Sequence, residues 1–149
     1  MSLFHPHRSR KGGRTGQSLV EFALVFPIVI VLLLAIFDLG RLVFAYNDIT
    51  NAARQGARTA IINQGGTAAV DRVIQMATSL GLTAADVDIE YAASDGSDCH
   101  DTAGKYTLAC QVNVTVSFDW TPITPVIGNI VGPMTVTSTS QMPIERIFP

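Results

Sequence analysis

The chain has 149 residues, a net charge of −2 and a 48% hydrophobic composition, enough for one small domain plus a membrane anchor but too polar for several membrane spans. Its charge is unevenly placed: residues 1–16 hold Arg8, Arg10, Lys11 and Arg14 and no acid, so the remaining residues carry six bases against 12 acids. That acidic remainder excludes a nucleic-acid binder by charge, and the basic arm beside an apolar run reads as a cytoplasmic retention signal.

The apolar run comes next. Residues 22–37 contain no charged side chain, 16 positions in all, fewer than the roughly 20 a bilayer core requires. Counting from Gln17 extends the run to 21, about 31 Å of helix. A span therefore takes Glu21 into the membrane edge. A carboxylate near a helix centre there costs about 2.5–3.5 kcal/mol, less near an end, so a function for Glu21 is the default expectation. The positive-inside rule puts the arm in the cytoplasm and everything after Asp38 outside.

Three readings fit a basic arm before an apolar segment. A secretory signal peptide needs a small-x-small site after its apolar core, and Ala35-Ile36-Phe37 or Asp38-Leu39-Gly40 supplies it poorly. A plain signal anchor leaves Glu21 without a role. A class III signal is cut before the helix. It needs a basic leader, a small residue at the cut and a glutamate at the fifth mature position. Met1–Gly16, with a cut between Gly16 and Gln17, and Glu21 supply all three. The new α-amino group of Gln17 could then pair with Glu21 of a neighbouring subunit, because two charges in apolar surroundings are tolerable when they satisfy each other. Such a pair would set the axial register of adjacent helices.

Pro27 removes one backbone hydrogen bond and is expected to kink or loosen the helix. Beyond Phe37 the residues Leu39, Leu42, Tyr46, Ile49, Ala53, Gly56 and Ala60 recur at alternating spacings of three and four. This predicts a heptad packing seam, and one long helix from about Gln17 to Ile62. The small later members allow close approach, either by the protein's own sheet or by other subunits. Asp38 and Arg41 are spaced to pair on one face, and Arg54 and Arg58 are expected on a solvated surface.

Asn63-Gln64-Gly65-Gly66 ends that helix. Thr67 as N-cap, an apolar stripe of Val70, Val73, Ile74, Ala77 and Leu80, and Gly81 as stop predict a second helix over 68–80. Alternation predicts strands at 87–91, 110–120 and 134–142, with a short apolar turn or helix over 125–130 and Pro143 at the end or edge of the last strand. The expected fold is α+β: a long helix, a second helix and a small three-stranded antiparallel sheet over 63–149, the long helix crossing its inner face.

Cys99 and Cys110, the chain's two cysteines, fall outside the membrane on this topology, where disulfides persist, and flank a polar loop. A disulfide is expected, with free thiols the alternative. Together with His100 they do not make a zinc set. Asp95, Asp98 and Asp101 crowd the same loop without EF-hand spacing, so calcium stays open and no metal is assigned. The sequon Asn113-Val114-Thr115 lies mid-strand and is discounted. His5 and His7 fall in the leader. No nucleophile–base pair, catalytic carboxylate pair or phosphate-binding glycine loop is recoverable. Neither an enzyme, nor a cofactor, nor a small-molecule substrate is expected.

The run from Gly16 to Pro27 (Gly-Gln-Ser-Leu-Val-Glu-Phe-Ala-Leu-Val-Phe-Pro), Asp38-Leu39-Gly40-Arg41, and Thr50-Asn51-Ala52-Ala53-Arg54-Gln55-Gly56-Ala57-Arg58 resemble the three signatures of the TadE-like family of pilus assembly proteins. The resemblance covers about residues 14–60 and only in outline the rest. It implies a pilin-like fold and a pseudopilin or minor pilin of tight-adherence (Flp-type) machinery. It also implies cleavage by a prepilin peptidase after Gly16, residence in the bacterial inner membrane, and partners among other pilins, pseudopilins and the assembly platform. The same residues fit an uncleaved single-pass protein whose outer domain binds another envelope component.

Overall fold

A computed structural model of the chain describes residues 14–64, 67–97, 99, 106 and 110–144. The arm through Gly13, the helix-ending glycines Gly65 and Gly66, and Asp98, His100 and Asp101 lie outside these residues. Helix α1 runs from Arg14 to Ile62, 49 residues with Pro27 inside it, or about 73 Å of helix. It starts three residues before the expected Gln17, with no acid in its first turn to complement the helix dipole. Helix α2 spans Thr67–Met76, followed by a 3-10 turn over Thr78–Leu80. Gly81 closes that turn at φ 65°, a left-handed conformation that favours glycine. The expected single helix over 68–80 is thus split at Ala77.

Strands β1 (Val87–Ala93), β2 (Cys110–Trp120) and β3 (Met134–Pro143) form an antiparallel sheet in the order β1-β2-β3. The third helix, α3, covers Pro125–Val131 between β2 and β3. Pro143 closes β3 opposite Gln111, at the end of an edge strand where its missing N–H costs no ladder bond.

By internal contacts the chain divides into two units at the Phe37–Asp38 bond. In the first unit the large apolar side chains of α1, Leu19, Phe22, Leu24, Leu32, Leu33 and Phe37 among them, are exposed. The helix is long and apolar enough to cross a membrane.

In the second unit the later half of α1 belongs to the same compact body as the sheet. Alternation along β2 buries Val112, Val114 and Val116 on one face. Across the ladder Val87, Ile89 and Tyr91 of β1, and Met142, Ser140, Ser138 and Val136 of β3, line the same face. Ile49, Ala52, Ala53, Ala57 and Ala60 of α1, Ala69 and Val73 of α2, and Ala77 complete one core with it. On the outer face, Thr115 and Thr139 stand opposite each other with hydroxyls 2.9 Å apart.

The helix face that meets this core differs from the expected seam. Ile49, Ala53, Gly56 and Ala60 are buried, but Leu39 is 59% and Tyr46 49% exposed, and Leu42 is only partly covered. Ala45 takes the buried place instead. A straight helix drifts about 20° per heptad from a strict seven-residue repeat. Across the three heptads from Leu39 to Ala60 the pattern therefore leaves the buried face.

Gly56 shows why small residues sit there. A Cβ at this position would run into Val73 Cγ2 and press on Val114 Cγ1 at 3.3 Å. Only a hydrogen fits where α1 passes between α2 and β2.

Candidate functional site

Two groups of residues can do work, one in each unit. In the first, Gly16 and Gln17 lie within the opening turns of α1, exposed, and a side chain at Gly16 would touch nothing. The Gln17 side-chain amide donates to Glu21 Oε1 at 3.3 Å, one turn on. This is a long, exposed, local contact, and among the described residues no cation pairs with Glu21. Its carboxylate therefore has acceptor capacity left. The bond between Gly16 and Gln17 sits in the first turn of α1, which holds no acid to complement the helix dipole. Phe22 and Phe26 stack one turn apart, ring centroids 5.2 Å from each other. Pro27 lies in the uninterrupted span of α1.

In the second unit the central group is Asp38. Its carboxylate is 2% exposed. Oδ1 accepts the backbone N–H of Ile123 at 3.1 Å and Oδ2 that of Thr124 at 3.0 Å. Arg41 Nη1 lies 3.6 Å from Oδ1, the (i, i+3) ion pair that spacing predicts. The two backbone bonds were not legible. They join residues 85 and 86 positions apart, and they anchor the loop ahead of α3 to the first residue after the apolar run. One signal could have found them. Thr124-Pro125 is a helix start, with proline at the first helical position, and such a start attracts a carboxylate. Asp38 is an acid as close to the apolar run as Glu21 is.

Cys99 and Cys110 form a disulfide, with Cα atoms 5.3 Å apart. It lies in a second small core with Ile144, against Tyr91 and Tyr106. The Tyr91 and Tyr106 rings stack at 4.1 Å, and the Tyr91 hydroxyl donates to the Ala60 carbonyl at 3.3 Å. Burial, with Tyr106 alongside, pushes the Tyr91 hydroxyl up to about 12.

Two acids in turns are held below the ordinary carboxylate range by local donors. Asp86 accepts the Thr83 N–H and hydroxyl, closing a capping box. Asp95, in the loop considered for calcium, accepts the Ser97 hydroxyl and N–H. Ser79 donates to Asp48 at 2.6 Å, joining the turn after α2 to α1.

A groove of about 450 Å³ runs between Leu42, Val43 and Tyr46 of α1 and Met134–Thr137 of β3. Leu42 and Tyr46 of the expected seam line this groove.

Residues 16–58 match the family model described as TadE-like protein. The matched stretch lies within α1 and includes Gly16, Gln17, Glu21, Pro27, Asp38 and the packing residues to Gly56, and it ends before the sheet. Comparison of the chain with curated proteins and with solved structures gave no match.

Proposed function

We propose that the chain is a structural pseudopilin or minor pilin of a tight-adherence (Flp-type) type IV pilus, without catalytic activity of its own. It is held in the bacterial inner membrane by residues 17–38, with the basic arm in the cytoplasm and the sheet-bearing domain outside. A prepilin peptidase cuts between Gly16 and Gln17. The mature subunit then joins other pilins or pseudopilins through the assembly platform.

One observation carries this reading. Glu21 is an ionisable group at the edge of an apolar helix, inside the family-matched segment, and its contact is a weak amide from Gln17. A charge in that place asks for a charged partner. Removing residues 1–16 creates a cationic one at Gln17, one turn away in the same chain and on the same level in an adjacent chain.

The test is the mature N-terminus, read by mass in cells with and without the peptidase. Loss of residues 1–16 only where the peptidase is present supports the reading. An intact chain in both would favour an uncleaved anchored protein that binds another envelope component. In the same cells Glu21→Ala should insert normally but give few or no pili, and normal piliation would remove the register role.

A further inference from the structure

The segment between β2 and β3, residues 121–133, has no charged side chain. It exposes three large apolar residues, Ile123 at 66%, Ile130 at 79% and Val131 at 50%. Exposed large apolar side chains concentrated in one short uncharged segment mark a contact surface. Its place is fixed: the N–H groups of Ile123 and Thr124 are bound to the carboxylate of Asp38, the residue that follows the last of the uncharged run. On α1 just beyond Asp38, Leu39, Val43 and Phe44 are also exposed. Exposed apolar side chains thus persist along α1 past Asp38, and the loop is tied to that residue. The loop's remaining polar groups are small and uncharged, Thr121, Thr124 and Asn129, as suits the depth where acyl chains meet headgroups.

We propose that the 121–133 loop beds into the headgroup–acyl boundary of the leaflet from which α1 emerges, with Ile123, Ile130 and Val131 as its apolar contacts. Asp38 is then a positioning residue that holds the loop at that level. This rests on α1 being a membrane anchor. A lipid surface is favoured over a second protein copy by continuity: the loop is hydrogen-bonded to the end of the segment that meets lipid.

The experiment uses the full chain, one copy per phosphatidylcholine–phosphatidylglycerol nanodisc. Single cysteines are introduced and labelled with an environment-sensitive fluorophore without reduction, so that the native disulfide stays closed. Leu33→Cys probes the anchor, Ile130→Cys the loop and Thr139→Cys the outer sheet face. All three positions are exposed, so each variant should fold. The proposal expects blue-shifted emission at 130 that is quenched by spin-labelled lipid near the headgroups, quenching at 33 by deep spin labels, and none at 139. Quenching at 33 without quenching at 130 overturns the loop contact and leaves the anchor standing. A blue shift at 130 that spin-labelled lipid does not quench means that protein covers the loop, and overturns the proposal. Equal quenching at 130 and 139 assigns the contact to the whole domain and overturns it too. Absence of quenching at 33 removes the anchor, and the loop proposal with it.

Discussion

The two halves of α1 solve opposite problems with one backbone geometry. Before Asp38 the helix carries Leu, Val, Ile and Phe on all sides, exposed within their unit. After it, the buried face is Ala45, Ile49, Ala52, Ala53, Gly56, Ala57 and Ala60. A helix that meets lipid needs bulk all round. A helix that lies on a sheet needs one face shaved nearly to the backbone, because the valines of β2 already fill the gap. Apolarity and side-chain volume both separate the halves: the second carries Asp38, Arg41, Asp48, Arg54 and Arg58, and its buried face is mostly alanine.

The sharpest way to break this contrast is to remove bulk from each half. Ile49→Ala deletes the largest α1 side chain of the core and should cost about 2–5 kcal/mol of domain stability. Leu33→Ala should change it by less than about 0.5 kcal/mol. Trp120, the chain's single tryptophan and a buried one, reports denaturant unfolding by its fluorescence. Equal losses would mean that the first half packs in the domain after all. Next in size is the disulfide. Cys99→Ser with Cys110→Ser frees a loop of 11-residue separation and should cost about 3 kcal/mol in the chain-entropy model. The same assay reads it, and membrane insertion of the first half should be unchanged; a failure to insert would couple the two regions.

The smallest effect is alkaline. The Tyr91 hydroxyl ionises near 12 in the folded domain against 10 ordinarily, so its contribution is whole below pH 10. Above that the unfolded chain gives up its proton first, and stability falls as pH rises toward 12, by about 2 kcal/mol at most. Tyr91→Phe should flatten that part of the stability–pH curve, and an unchanged slope would assign the loss elsewhere.

What the sequence made legible was local. Period-two alternation placed β1, β2 and β3 to within two residues at each end, and the Gly81 stop was read correctly. The run of Leu, Ile, Val and Phe identified a helix that could span a membrane. Three things were not legible. The split at Ala77 comes from a turn that lets Ser79 reach Asp48, a contact 31 residues away. The exposure of Leu39 and Tyr46 and the partial cover of Leu42 within this chain follow from the drift of a straight helix and from where the sheet stops covering it. The Asp38 site was half seen: the near partner Arg41 is set by helical spacing, while Ile123 and Thr124 are set by the fold.

That last contact bears on the order of events. A hydrogen-bonded pair separated by 86 residues closes a large loop, so it forms only once the chain has turned back to α1. Until then the Asp38 carboxylate has only the local partner Arg41, one turn on. Asp38 thus records, by whether its two backbone donors are in place, whether the chain beyond it has folded back.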